Sequence, residues 1–454
     1  MTKIAEKILS DKALKQRVMS EIEEFYRVGI QEWELKLKQQ EIQEWLPSQK
    51  IKNVEWVRRL IWQPKGISDY RRIQPELIYV KSVYELQTKD IWGDSQTQEL
   101  GGTEELDQHW SILRKLVSSA RDTGGGGMRM MKFLVRDKTT RKYLGVLCIS
   151  SDFMNATNRD KRIGWKREEF SKKTGRLYGK LNNLAQGQAI VPTQPFGNAY
   201  NGTKLLALLC LSKIVADKWE EVYGDKLVGV TTTALWGNKK NKSSYDGLDP
   251  YWQRIEDTSG KTPINFTNET YGLMKAWLRD RYPKEFYKIN PKDGHQVRDV
   301  KKKTVLQVLA KLGIPTKQRM SDAKRLCYMS LLYNNSDLFL RGEIQGDQLE
   351  PAFDNSVAAL TKFWKFGVKG DTTRKLTNAE KKAMREKYAP LPQDITLNLV
   401  ASARARIDNL SEEAGKSGKK LAIETDSAKS DWYQDLGALS WDEARKKYLS
   451  QVGR

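Results

Sequence analysis

Two carboxylates and an arginine lie close together in the sequence, and these residue types could perform acid–base or metal chemistry. Asp152 precedes the pair Arg159-Asp160, so the two carboxylates are eight residues apart. Carboxylates at this spacing could bind Mg²⁺ in a nuclease or act as a base, with Arg159 and Asp160 as the candidate catalytic residues. The alternative is a structural ion pair that fixes the turn before Ile163.

A second candidate site is a loop rich in Gly and Asn at residues 198–203, directly before a helical pattern. Free N–H groups and the positive end of the helix dipole form a natural seat for a pyrophosphate at such a position. The loop is not a P-loop, because Gly202 is followed by Thr203 and Lys204 rather than by Lys and then Ser or Thr. The alternative is that Gly197 and Gly202 only shape a tight turn.

Other chemistry is excluded by composition. His109 and His295 are the only histidines, so Ser-His-Asp triads and multi-histidine metal sites are nearly impossible to assemble. His109 could act as a base, although a lone histidine beside a tryptophan is more often structural. The three cysteines form no CxxC pair and indicate a reducing, cytoplasmic setting. No stretch approaches the ~20 apolar residues of a membrane span, and we expect no membrane partner.

The charge of the chain points to a polyanion. Lys and Arg number 79 against 57 Asp and Glu, which gives a net charge of +22, but the first fifty residues contribute none of it. Residues 158–180 and 300–320 hold nine and six basic residues, which suits phosphate contacts and counterion release. We expect a nucleic-acid partner, DNA rather than RNA. The candidate nucleic-acid-binding residues are Lys161, Arg162, Trp165, Lys166, Arg167, Lys172, Lys173, Arg176, Lys301, Lys302 and Lys303. Trp165 would stack on bases or act as a wedge, although tryptophans also fill cores.

The elements that must position these residues read as a mixed α/β fold. Apolar runs at 130–135 and 143–150 around a polar turn predict a hairpin. A strand at 189–191, a long helix at 203–223 and a strand at 227–233 predict a βαβ unit. We expect three regions: a helical segment at 1–50, a core domain at 51–263, and a mainly helical region at 264–454 that forms an additional C-terminal domain.

The order of hairpin, strand, Gly-containing loop, helix, strand and a tyrosine-bearing segment is similar to the core of the GNAT-type N-acetyltransferases. Gly202-Thr203-Lys204 resembles the entry of the pyrophosphate loop into its helix in that family. The resemblance implies a GNAT-like central sheet and acetyl-CoA or a related acyl-CoA as cofactor, with Tyr245 as the general acid; a packed tyrosine is the alternative. The implied cofactor-binding residues are Val191, Gly197, Asn198, Asn201, Gly202, Thr203 and Lys204.

A more specific resemblance, over about residues 54–263, is to the DruA family of the Druantia anti-phage system. It rests on Pro75-Glu76-Leu77, Trp110, the segments 132–137 and 143–147, Arg159-Asp160, Ile163-Gly164-Trp165, Asp217, Trp219, Tyr223-Gly224, Tyr245, Trp252, Thr258 and Gly260. The chain departs from the family at 231–235, where an acid-containing strand is usual, and at 243–246. The resemblance implies an anti-phage or phage context and nucleic acid.

Three functions follow as hypotheses. The first is a cytoplasmic DNA-binding protein that transfers an acyl-type group to a base amine, which requires the base to be flipped out of the stack. The second, favoured by the departure at 231–235, is a non-catalytic nucleic-acid-binding or assembly subunit. The third is a metal-dependent nuclease that uses Asp160.

Overall fold

The computed structural model describes residues 8–45, 59–63, 67–82, 104–117, 129–166, 180–193, 196–234, 243–258, 262–291, 300–321 and 325–366. The strands are β1 Pro75–Ser82, β2 Met130–Asp137, β3 Tyr143–Ser151, β4 Leu184–Pro192, β5 Gly229–Ala234, β6 Gln253–Arg254, β7 Thr262–Pro263, β8 Met320–Ser321 and β9 Leu326–Leu331. The helices are α1 Asp11–Val28, α2 Ile30–Trp45, α3 Glu104–Val117, α4 Thr157–Ile163, α5 Phe196–Ala199, α6 Gly202–Leu209, α7 Lys213–Tyr223, α8 Asn268–Arg281, α9 Pro283–Ile289, α10 Val300–Lys311, α11 Thr316–Arg319, α12 Ser336–Arg341 and α13 Val357–Phe366.

Seven strands form one sheet in the order β1-β2-β3-β4-β5-β9-β6, and β7 pairs with β8 in a separate ribbon. The large sheet is antiparallel except between β4 and β5, which run parallel. β3 is buried along almost its whole length because helices cover both faces of the sheet, which explains its continuous apolar run. The predicted mixed α/β class and the hairpin of β2 and β3 are confirmed.

The βαβ unit has the predicted order and a parallel strand pair, but its helix is not continuous. The segment Cys210-Leu211-Ser212 separates α6 from α7. Leu211 and Ser212 donate to carbonyls three residues back, and the N–H of Lys213 donates to the carbonyl of Asn355. A backbone acceptor outside the helix, the Asn355 carbonyl, thus replaces an α-helical bond at this point, which periodicity alone does not reveal.

β4 and β5 pair over only a short stretch. The register joins 184–186 to 229–231, and the later residues of the two strands pair with β3 and with β9. At the point of separation the Thr232 hydroxyl donates to the Gly187 carbonyl at 2.9 Å. We call residues 187–192 of β4 and 232–234 of β5 the β4–β5 opening. It comprises the carboxyl-terminal parts of both strands, and α5 and α6 follow β4 in the chain.

Four apolar cores hold the described parts together, and we describe the two largest. The first joins one face of the sheet to α6, α7 and α13 and includes Phe133, Leu206, Trp219 and Trp252. The second contains no strand of the large sheet and joins α1 and α2 to α8, α9 and α10, with Leu14, Ile22, Trp277 and Val308 among its members. The predicted amphipathic pattern of the first segment is therefore used to pack against residues some 250 positions later in the chain.

The structure differs from the predicted boundary after residue 263. β9 belongs to the region predicted as a separate C-terminal domain, yet it lies between β5 and β6 in the large sheet. The N-terminal helices share their core with helices from the same region. Strand order depends on pairing between distant residues, so the local sequence patterns did not reveal this topology.

Candidate functional site

The guanidinium of Arg159 lies buried between two carboxylates. It donates to Asp160 Oδ1 from Nε at 2.9 Å and from Nη2 at 2.6 Å, and its Nη1 lies 3.2 Å from Asp152 Oδ2. The Arg159 side chain is 1% exposed, and it stands 5.5 Å from the centre of the Trp165 ring. A short loop from the end of β3 into α4 brings the three residues together. Arg159 neutralises part of the negative charge that the two carboxylates place in the interior.

Asp152 holds its proton more strongly than an ordinary aspartate. Burial raises its pKa, and Arg159, the N–H of Phe153 and the hydroxyl of Thr231 oppose this effect. The Phe153 N–H donates to Asp152 Oδ1 at 2.7 Å. Since Thr231 is on β5, Asp152 links the β3–α4 loop to the segment where this chain departs from the expected acidic strand.

The arrangement of Asp152, Arg159 and Asp160 does not fit a metal site. Arg159 occupies the space between Asp152 and Asp160 where a cation shared by both carboxylates would sit. Within the described ranges, no three His, Cys, Asp or Glu side chains are grouped so that they could hold a metal ion. The ion-pair alternative for Arg159 and Asp160 fits the geometry better.

The loop after β4 is shaped by packing. The short helix α5 comes first in this loop. Asn201 follows it with a left-handed backbone, φ 54°, and Gly202 is the first residue of α6. A Cβ atom on Gly202 would collide with the Phe196 ring and lie 2.7 Å from the Phe196 carbonyl oxygen. The glycine is therefore needed for the contact between α5 and α6, whatever else the loop does.

Other predicted cofactor-binding residues surround this loop. Val191 lies half-buried in β4 and pairs with Val146. Gly197 donates its N–H to the Thr193 carbonyl, while Thr203 is half-buried in the first turn of α6. Asn198 is part of α5. The predicted residues are thus neighbours at the carboxyl end of β4.

Lys204 connects this loop with the tyrosine-bearing segment. Its ammonium donates to the Asp246 carbonyl at 2.9 Å. Tyr245 lies in the same turn, with its ring buried and stacked on Tyr328 at a centroid distance of 5.0 Å. The structure therefore brings the predicted cofactor loop and the predicted general acid into one neighbourhood, while the Tyr245 ring is largely enclosed.

Tyr328 on β9 is a residue of this site that the sequence did not indicate. Its hydroxyl accepts from Ser243 Oγ at 2.7 Å and donates to Asp246 Oδ1 at 3.0 Å. Burial raises the pKa of Tyr328 to about 12; the hydrogen bond from Ser243 lowers it, and Asp246 raises it. Its only signal was an apolar strand pattern in a region predicted as mainly helical.

The predicted nucleic-acid-binding residues fall in two places. Lys161, Arg162 and Lys166 are exposed in and after α4, and Lys161 pairs with Glu256 at 2.5 Å. Lys302 and Lys303 are exposed on α10, whereas Lys301 stands 5.0 Å above the Tyr271 ring. The remaining four, Arg167, Lys172, Lys173 and Arg176, lie outside the described residues.

Trp165 corrects one expectation. Its side chain is buried, and its indole N–H donates to the Leu340 carbonyl at 3.0 Å. It packs in a small core with Ile163 and Phe339. A ring held in this way cannot stack on a base without leaving the core, so the tryptophan serves packing rather than nucleic-acid contact.

Comparison with known proteins gives the family. The family described as Druantia protein DruA matches residues 104–342, which include β2 to β9 and α12. Druantia protein DruA of Escherichia coli (strain UMEA 4076-1) is 28% identical over 182 residues, which are 37% of this chain and 43% of that protein. The chain thus spans less than half of the length of this curated relative, and no solved structure matches. Within the described residues no helix is long and apolar enough to cross a bilayer. The matched region contains Asp152, Arg159 and Asp160 as well as the β4–β5 opening. Because the family model covers more than half of the chain, the chain belongs to the DruA family.

Proposed function

We propose that this chain acts on nucleic acid in anti-phage defence and binds an acyl-coenzyme A type donor at the β4–β5 opening. The observation that carries the proposal is the pairing of β4 and β5, which are parallel and separate after three residue pairs, with α6 following β4 in the chain. In open α/β sheets ligands bind at the carboxyl ends of parallel strands where the strand order changes. The GNAT resemblance supports a coenzyme A type ligand at this place.

The residues present fit a phosphate-bearing ligand in two respects. α6 begins at the opening with its positive end, and Lys204 supplies a cation in its first turn. Gly202 gives no further support, because its missing side chain is explained by Phe196. Lys204, rather than Gly202, is therefore the residue on which the proposal is tested.

Each group would have a simple task. An acyl-coenzyme A supplies an activated thioester acyl group when bound. Lys204 would hold phosphate oxygens, and Tyr245 would give a proton to the leaving thiolate. The base amine would form an amide bond to the acyl carbon as the thioester C–S bond breaks, and it would release one proton. The Tyr328–Asp246–Ser243 hydrogen bonds would hold the Tyr245 turn in place.

Thermal unfolding with and without acetyl-CoA tests donor binding. A ligand at 100 times its Kd stabilises a protein by about 2.7 kcal/mol, so we expect the Tm to rise by several degrees. Lys204→Ala should abolish the rise, and Lys213→Ala, an exposed lysine paired with Asp217 on α7, should retain it. An unchanged Tm in the wild-type protein at saturating acetyl-CoA would contradict the donor site.

A second candidate is nucleic-acid binding without catalysis. The observation in its favour is that β5 has Thr231, Thr232 and Thr233 where an acid is expected, while Arg159 neutralises part of the charge of the nearby carboxylates. This alternative predicts affinity for DNA that falls steeply with salt and no new nucleoside in DNA exposed to the protein in cells. Mass spectrometry of those nucleosides separates the two candidates, because a modified base supports only the first.

A further inference from the structure

The loop between β3 and α4 displays two adjacent apolar side chains to solvent. Phe153 is 57% and Met154 50% exposed. Within the described ranges the other exposed large apolar residues are Ile8, Tyr26, Ile214 and Phe366, and none of these is next to another in the sequence. An exposed pair of this size at a loop tip suits contact with a partner.

The backbone under this pair is held firmly. The Phe153 N–H donates to Asp152 Oδ1 at 2.7 Å, and its carbonyl accepts from Arg159 Nη1 at 2.5 Å. Both partner side chains are buried, at 1% exposure each. The buried ion pair therefore fixes the backbone of an apolar side chain that itself points into water, which reduces the conformational entropy lost when that side chain is buried by a partner.

The charges around the loop favour a polyanion. Lys161, Arg162 and Lys166 are exposed next to it in the chain. On the neighbouring segment Glu256 pairs with Lys161 and Asp257 with Arg254, while Asn158 donates to the carbonyls of both acidic residues. The two acidic residues of this segment are thus each paired with a cation, and Arg162 and Lys166 are further exposed cations near the loop.

We infer that Phe153 and Met154 form a wedge that inserts between nucleic-acid bases. The inference rests on the nucleic-acid part of the proposed function and adds the residues that distort the stack. Phe and Met are wedge residues in proteins that unstack a base step, and exposed cations nearby hold the backbone. The sequence predicted Trp165 as the residue that stacks on bases or acts as a wedge. We assign the wedge to Phe153 and Met154 instead, which were not among the predicted nucleic-acid-binding residues.

The test uses the full chain and a DNA duplex that carries 2-aminopurine, whose fluorescence rises when it is unstacked. Wild-type protein should bind and raise the fluorescence. The double variant Phe153→Ala/Met154→Ala should bind about 10- to 100-fold more weakly and abolish the rise, with the salt dependence of affinity unchanged. Ile214→Ala, which truncates an apolar side chain 43% exposed on α7, is the matched control and should behave as wild type. Phe153→Trp should retain the fluorescence rise.

The possible outcomes separate failure of the Phe153–Met154 wedge from failure of nucleic-acid binding. If wild-type protein binds no duplex or single strand, the nucleic-acid part of the proposed function fails and the wedge fails with it. If the double variant binds as tightly as wild type and still raises the fluorescence, only the wedge is overturned. If the double variant instead changes the oligomeric state and leaves DNA binding intact, the pair is a protein contact and the wedge is overturned.

Discussion

Glu21 and Asp152 are both buried carboxylates, but their surroundings differ in kind. Glu21 on α1 accepts from the N–H and the hydroxyl of Thr267 and from the hydroxyl of Thr270, at 3.0, 2.6 and 2.5 Å. Asp152 accepts from Phe153 and depends for charge compensation on Arg159, which it shares with Asp160. Glu21 therefore connects α1 to the start of α8 through three hydrogen bonds. Asp152 keeps a raised pKa and supports a loop that reaches solvent.

The difference teaches how the two regions use buried charge. Thr267 caps α8, so the Glu21 carboxylate lies at the positive end of that helix; its hydrogen bonds come from neutral donors, and the partly exposed Arg17 guanidinium lies 3.7 Å away. The Asp152 carboxylate is compensated by one cation, and loss of that cation would leave two acids in the interior. The helical region therefore uses its carboxylate for architecture, and the sheet region uses its ion pair to fix a loop.

Removing the shared cation should have the largest effect. Arg159→Met leaves Asp152 and Asp160 buried without compensation, and we expect a loss of about 3–5 kcal/mol in the free energy of unfolding. Denaturant unfolding of the full chain measures it, with Arg162→Met as the control because that arginine is exposed in the same helix. If the free energy of unfolding falls no more than in the control, the ion pair does not stabilise the loop.

Glu21→Ala should have the next largest effect. It leaves the Thr267 N–H and two hydroxyls without their acceptor, and we expect a loss of about 2–4 kcal/mol. Glu21→Gln keeps one acceptor oxygen and should lose less. The same denaturant experiment measures both variants; equal losses for Ala and Gln would mean that the retained acceptor oxygen does not stabilise this joint, and would contradict the hydrogen-bond explanation.

Asp152→Asn should have the smallest effect on stability near neutral pH, about 1 kcal/mol, and the clearest effect on pH dependence. Because the folded pKa is raised above 3.8, the native state binds this proton more strongly than the unfolded chain. Its contribution to stability is full below that value and is lost as the pH rises through the folded pKa. The variant should therefore remove part of the decline in stability with rising pH, measured by denaturant unfolding from about pH 4 to pH 8. An identical pH profile would contradict the raised pKa.

Local patterns predicted the four central strands β2 to β5 of the large sheet. The hairpin and the parallel strand pair follow from alternating and continuous apolar runs with glycine between them, and these signals lie within short stretches of chain. The place of β9 between β5 and β6 could not be predicted, since it depends on hydrogen bonds between residues about 70–100 positions apart.

The candidate site was predicted only in part. Gly202 and Lys204 were recognised from a loop that precedes a helix, and Lys204 does reach the Tyr245 turn. Arg159 lies in a run of charged residues that resembles a solvated basic surface, yet it is buried because Asp152 and Asp160 compensate it. The sequence suggested an Arg159–Asp160 ion pair and an exposed Arg162, but the burial of Arg159 depends on its contact with Asp152 in the folded chain and could not be predicted from the pattern.

The shared core of α1 and α8 has a consequence for synthesis of the chain. The Glu21 carboxylate and its Thr267 partner are 246 residues apart. At about 5–20 residues per second, a ribosome needs roughly 12–50 s to supply the second after the first. During this interval the apolar face of α1, with Leu14, Val18 and Ile22, has left the ribosome without α8, and it would be open to a chaperone or to another nascent copy.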